Sequence, residues 1–294
     1  MRFVSSEIFP PVPTETARAA RSVFGRSNFY LATGDQVNSL FSGIILEDPH
    51  GRIHKPSRSQ AMLYLITIFQ YVETLPDNSA ADALRLRTDW KYALHLPLTY
   101  PGLSASSFCE FRKWLLSDRT GEQTLQTILT RLSEVMLVTG KPCFSLPSGD
   151  IVRKVCLLSR LAMVWDSIGE ILGVLAGKQP EWLRTVNLPH WYERYGNHQK
   201  TINLVARDSE LEALAQQIGA DGDYLLKAIS DAHDLALANL PEILGMKQIW
   251  KDQYVLGEGK ISWRKDACAY CSSPIHEKGF NEKINRTGTE RRSA

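Results

Sequence analysis

Apolar residues recur at helical spacing through most of this chain, and polar or proline-rich breaks separate the periodic stretches. Residues 58–73 are apolar on nearly every side and predict a central, buried helix. Ser57 and Gln60 form a capping box at its start. Pro76, Asp77 and Asn78 end that helix. The next begins near Ser79 and runs into the aromatic stretch of Trp90 and Tyr92, giving a helix-turn-helix-like pair. PLTYPGLS (97–104) reads as a turn. In 106–116, Phe108, Phe111 and Leu115 share one face, and Arg112 and Lys113 are expected to fall away from it. Thr120 and Gln123 cap a further helix with a stripe of Leu125, Ile128, Leu129, Leu132 and Val135.

A helix from Thr14 to about Arg26 precedes this group, after an extended segment in which Pro10, Pro11 and Pro13 exclude a helix interior. Residues 47–56 read as a loop. Beyond a break at 139–150, which holds the short strand candidate CFSL, 151–176 form a long amphipathic helix with Val152, Val155, Leu158, Leu161, Trp165, Ile168, Leu172 and Leu175 in register. A loop rich in Trp and Pro spans 179–196. Ser209 and Glu212 cap a short helix that Gly219 ends. More helix covers 223–239 and 241–250, and 252–264 predict a β-hairpin around Gly257, Glu258 and Gly259. The expected fold is mainly α: a helical bundle with a helix-turn-helix-like region, then a helix-rich part with a short strand and a β-hairpin.

Composition narrows the function classes. With 294 residues, 44% hydrophobic and 22% charged, the chain has the make-up of a soluble globular protein. Its net charge is only +2, so affinity for nucleic acid has to come from a local patch. The longest apolar run, 61–69, is too short to span a bilayer. The N-terminus has no apolar signal region, and five scattered cysteines make no disulfide framework. A cytoplasmic location without a membrane partner is expected.

The candidate chemistry is sparse. Arg85, Arg87, Lys91, Arg112, Lys113 and Arg119 gather in one helical region, as phosphate binding requires. Asp82, Asp89, Glu110 and Asp118 are interleaved, and on charge alone a solvated helix face is the favoured reading. Trp90 and Tyr92 are read as core. Cys268 and Cys271 have the spacing of half a zinc site, but structural zinc needs four ligands and no second CxxC exists, so they are read as free thiols. Asp150 follows the strand candidate, where a metal-dependent nuclease would place a carboxylate; it equally suits the N-cap of the helix over 151–176, and the cap is the favoured reading. No phosphate-loop, serine-hydrolase or zinc-protease motif is present.

The run LPDNSAADALRLRTDWKYALHLPLTYPGLSASSFCEFRKWLL (75–116) resembles the N-terminal domain of bacterial insertion-sequence transposases of the DDE class. The likeness lies in Ala80, Ala81, Asp82, Arg85, Arg87, Asp89, Trp90, Lys91, Tyr92, Ala93, Leu94 and Leu96. It continues in Pro101, Gly102, Glu110, Phe111, Arg112 and Leu115. LLSRL (157–161), PHWYERYG (189–196), 213–229 and 240–254 resemble the region inserted after the first strand of the longer members. The resemblance implies DNA binding by the helical domain at the element's ends. It also implies a following RNase H-like core that holds Mg²⁺ with two Asp and one Glu. Here the first of those positions holds Pro147, with Asp150 three residues late, and the chain ends before the other two.

The expectation is therefore a transposase-like protein, truncated before most of the catalytic core. It has a helical DNA-binding domain over 1–140, a partial middle region over 141–276 and a loose tail over 277–294. Arg85, Arg87, Lys91, Arg112 and Lys113 are its expected DNA contacts. No catalytic residue is assigned beyond the weak candidate Asp150, and strand transfer by the chain alone is not expected. No cofactor is expected, Mg²⁺ belonging to an intact family member only. Transposon-end DNA is the expected partner, with a homo-oligomer or an intact transposase as further ones. The competing readings are a helical module that pairs with and inhibits an intact transposase, and the inert product of a decayed element.

Overall fold

The computed structural model describes residues 7–25, 27–47, 50–139, 146–196, 208–257 and 260–264. It is mainly helical, with two small antiparallel hairpins. The chain divides into two compact units, with the boundary between Val155 and Cys156. None of the described helices is long and apolar enough to cross a membrane.

The first unit opens with α1 (Thr14–Val23), α2 (Phe29–Asp35) and α3 (Val37–Leu40). α2 starts where Asn28 accepts hydrogen bonds from the backbone of Tyr30 and Leu31. The segment read as a loop, 47–56, instead contributes to a short hairpin of β1 (Leu46–Glu47) and β2 (Ile53–His54). α4 (Arg58–Glu73) matches the sequence expectation at both ends. Its capping box is complete, with the Ser57 side chain accepting from Gln60 N at 3.2 Å and Gln60 Oε1 accepting from Ser57 N at 2.9 Å. Thr74, at φ 59°, closes it in the left-handed conformation.

Ten successive residues of α4, from Ala61 to Gln70, are buried. The helix packs against α5 (Asp77–Leu86) and α7 (Ala105–Ser117). It meets α6 (Thr88–Ala93) through Phe69 and Trp90, and α8 (Arg119–Thr139) through the Tyr64 hydroxyl, which donates to the Gly121 carbonyl. Pro76 does not keep Asp77 out of helix; it precedes the first turn of α5, where a missing N–H costs nothing. Phe69 sits at the middle of an aromatic group, its ring centroid 4.9 Å from Tyr30, 5.2 Å from Trp90 and 6.0 Å from Phe29. Tyr64 meets Phe111 edge-on at 5.0 Å. Burying such side chains contributes about 1.5–3 kcal/mol each, before any ring geometry is counted. The expected stripe of α8 is buried at Leu125, Ile128, Leu129 and Leu132. Its cap is Asp118, which accepts from Gly121 N at 2.7 Å, rather than Thr120.

α9 (Ser148–Lys178) carries the boundary between the units. Asp150 lies within its first turn and pairs with Arg153 at 2.5 Å, so it is not the N-cap. The strand candidate at 143–146 falls almost wholly outside the described residues, as do Cys268 and Cys271. Cys109 on α7 is disulfide-bonded, which the odd and scattered cysteine set does not announce.

The second unit replaces the expected loop over 179–196 with two short helices, α10 (Pro180–Val186) and α11 (Pro189–Tyr195), each with proline in its first turn. α12 (Asp208–Asp231) is one helix of 24 residues that runs straight through Gly219. Gly219 does not end it because that residue serves packing: the Tyr254 ring occupies the space a β-carbon would take, and at Gly222 the Trp250 ring does the same. α13 (Leu235–Ala238) and α14 (Pro241–Gln253) follow. β3 (Tyr254–Gly257) and β4 (Lys260–Trp263) form the expected antiparallel hairpin, Tyr254 opposite Trp263. Leu161, Ile168, Leu175, Ile218, Leu225, Trp250 and Tyr254 belong to a single apolar core in this unit.

Candidate nucleic-acid interface

The five cations expected to meet DNA do not form one exposed face. Arg112 is fully buried. On a helix, position 112 follows 108 by four residues and precedes 115 by three, so it shares the inward face of Phe108 and Leu115. There its Nη1 and Nη2 donate to the two carboxylate oxygens of Asp77 at 2.8 and 2.7 Å, and Nη1 also donates to Gln70 Oε1 at 3.1 Å. Gln70 in turn donates to Asp77 Oδ1 at 2.8 Å. A side chain so enclosed has no surface to offer a phosphate, and the expectation that it points away from the apolar face is corrected.

Arg87 is tied up as well. It donates to both carboxylate oxygens of Asp89, at 3.1 and 2.6 Å, and to Glu73. Its guanidinium carbon lies 5.1 Å from the centre of the Tyr30 ring and 5.4 Å from that of Trp90. Burial works against its charge, but the hydrogen bonds with Asp89 and Glu73 outweigh that and raise its pKa. Glu73 also accepts from Tyr30 and from Trp90 Nε1. Thus Arg87 bridges two acids over an aromatic floor.

Lys91 is buried, at 4% exposure. The six-residue α6 is enclosed on several sides, with Asp89, Trp90, Lys91, Tyr92 and Ala93 all buried. Lys91 Nζ donates to the carbonyl of Leu98, and burial lowers its pKa. Trp90 and Tyr92 are core, as expected. The Tyr92 hydroxyl donates to Asp35 at 2.6 Å and accepts from Arg21.

Arg85 remains at the surface, paired with the equally exposed Asp82 at 2.6 Å. Lys113 is half-buried and Arg119 exposed. What the charge pattern does not single out is Arg58. It is half-buried at the start of α4, and its Nη2 donates to the carbonyl of His95 at 2.8 Å. His95 is itself unusual: at φ 54° it directs Nε2 to the Gly34 carbonyl at 2.9 Å and Nδ1 to that of Pro10. A ring with one proton can donate to only one of the two.

In the second unit the buried Asp221 accepts from Tyr195 at 2.7 Å and from Arg194, with Gln217 at 3.2 Å. Among the described residues no group of three or more His, Cys, Asp or Glu side chains is placed to hold a metal ion. No family model, curated protein or solved structure matches the chain.

Proposed function

We propose that this chain is a transposase-like protein that binds the DNA ends of an insertion sequence, through the helical unit that ends at Val155. The single observation behind the proposal is the run over 75–116 and its residue-by-residue likeness to such transposases. Its aromatic and paired members, Trp90, Tyr92, Arg87 and Arg112, make a rigid support. The cations left for phosphates are then those at the surface, with Arg85 foremost. The proposal covers binding only; Asp150 is engaged with Arg153 and is given no part in strand cleavage. A cytoplasmic location belongs to the same proposal.

A mobility-shift titration of the whole chain tests this, using duplexes that carry the terminal sequences flanking its gene beside scrambled duplexes. A shift at low salt that weakens steeply as salt rises is expected, because phosphate contacts release counterions. Absence of any shift at low salt rejects the proposal.

A further inference from the structure

At the turn between α6 and α7 two cations have no carboxylate partner among the described residues. Lys91 donates to the Leu98 carbonyl and Arg58 to the His95 carbonyl. Neither pairs with a carboxylate among the described residues, whereas Arg112 and Arg87 in the same unit each do. A carbonyl satisfies a hydrogen bond but leaves the unit charge uncompensated, and an enclosed charge without a counter-charge is costly. Burial lowers the pKa of both groups, the nearby Tyr100 hydroxyl opposing it at Arg58. The Arg58 Nε is buried with no hydrogen-bond partner among the described residues.

On the other flank Arg85 meets the same turn. A β-carbon on Gly102 would lie 3.6 Å from the Arg85 β-carbon, and Gly102 holds φ at 94°, where a side chain is disfavoured. Pro97, Leu98 and Thr99 are exposed, so the turn itself faces solvent. The Arg85–Asp82 pair is exposed on both sides, where solvent screens it and a competing anion can displace it.

We propose that this turn is a phosphodiester-binding site, in which Arg58 and Arg85 donate to phosphate oxygens and Lys91 supplies fixed positive charge beneath. Guanidinium groups suit this ligand because their paired N–H donors match two phosphate oxygens. The site deepens the DNA-binding reading and rests on it for the identity of its ligand. Free phosphate offers the same chemistry, so the test separates the two sources.

The experiment uses the whole chain, the variants R85Q and R58Q/R85Q, and R184Q in the second unit as a control. The salt dependence of the affinity for a random duplex is measured for each, with melting followed by circular dichroism. R85Q is expected to lower the log–log salt slope by about one, and the double variant by about two, with affinity falling about tenfold or more. R184Q keeps the unaltered slope. Unaltered slopes in both variants, while the parent chain binds duplex, overturn the site. R85Q carries the test alone if the Arg58 substitution unfolds the protein.

A second arm compares the melting temperature in inorganic phosphate and in chloride at equal ionic strength. A phosphate-dependent rise in the parent chain that R85Q reduces supports the site even where no duplex binds, and in that case the DNA reading alone falls. No rise, together with no duplex binding, removes both.

Discussion

Arg112 on α7 and Asp77 at the start of α5 form a fully buried, two-pronged ion pair, with both nitrogen–oxygen distances under 3 Å. Removing one partner strands the other charge in the core. R112M is therefore expected to cost about 3–5 kcal/mol, while the matched double change D77L/R112M costs much less or even stabilises. Urea unfolding of the three proteins checks this. An R112M midpoint equal to that of the parent chain would show the pair to be energetically idle.

Arg87 predicts a different pattern from Arg85, although the two lie on one short stretch of chain. R87Q breaks charge-assisted hydrogen bonds to Asp89 and Glu73, and about 1.5–3 kcal/mol of stability should go with them. Its effect on the salt slope of DNA binding should be small. A lowered slope with unaltered stability would instead make Arg87 a phosphate contact.

Alkaline pH should unfold the protein through its tyrosines. Burial raises the pKa of Tyr30, Tyr64, Tyr195 and Tyr254, reinforced at Tyr30 by Glu73 and at Tyr195 by Asp221. The folded state thus keeps protons that the unfolded chain gives up near pH 10. Their stabilising contribution is complete below that value and is lost progressively as pH rises above it. Tyrosinate absorbance followed beside circular dichroism should show most of these groups ionising only together with unfolding. Full ionisation of the tyrosines in a still-folded protein contradicts this.

Gly222 on α12 predicts a packing defect. In an exposed helix interior, Gly→Ala stabilises by about 1 kcal/mol. Here the Trp250 ring and the Met246 methyl occupy the space, so G222A should instead lose about 1–3 kcal/mol. Thermal melts decide the sign. A higher melting temperature would mean that Trp250 yields without penalty.

Much of the helical framework is legible in the sequence because amphipathic periodicity and capping chemistry are local. Ser57 and Gln60 announce α4 to the residue, and the stripe from Leu125 to Leu132 announces the buried side of α8. The hairpin at Tyr254–Trp263 follows from its two glycines and flanking β-formers. Less legible are short helices such as α10 and α11, where prolines read as breaks but sit in first turns. Gly219 reads as a stop for the same kind of reason, its signal being that of a missing side chain whatever the cause.

The candidate site divides along the same line. The sequence by itself determined the helical class, the aromatic character of the core and the cluster of cations around residues 85–113. Whether a given cation meets water or an acid depends on residues distant in the chain: Asp77 for Arg112, and Glu73 for Arg87. Arg58 joins the turn at 94–104 across a separation of 37 residues, through a bond to the His95 carbonyl. Only tertiary structure decides such matters, because charge is written locally, whereas burial and pairing arise when separate helices pack.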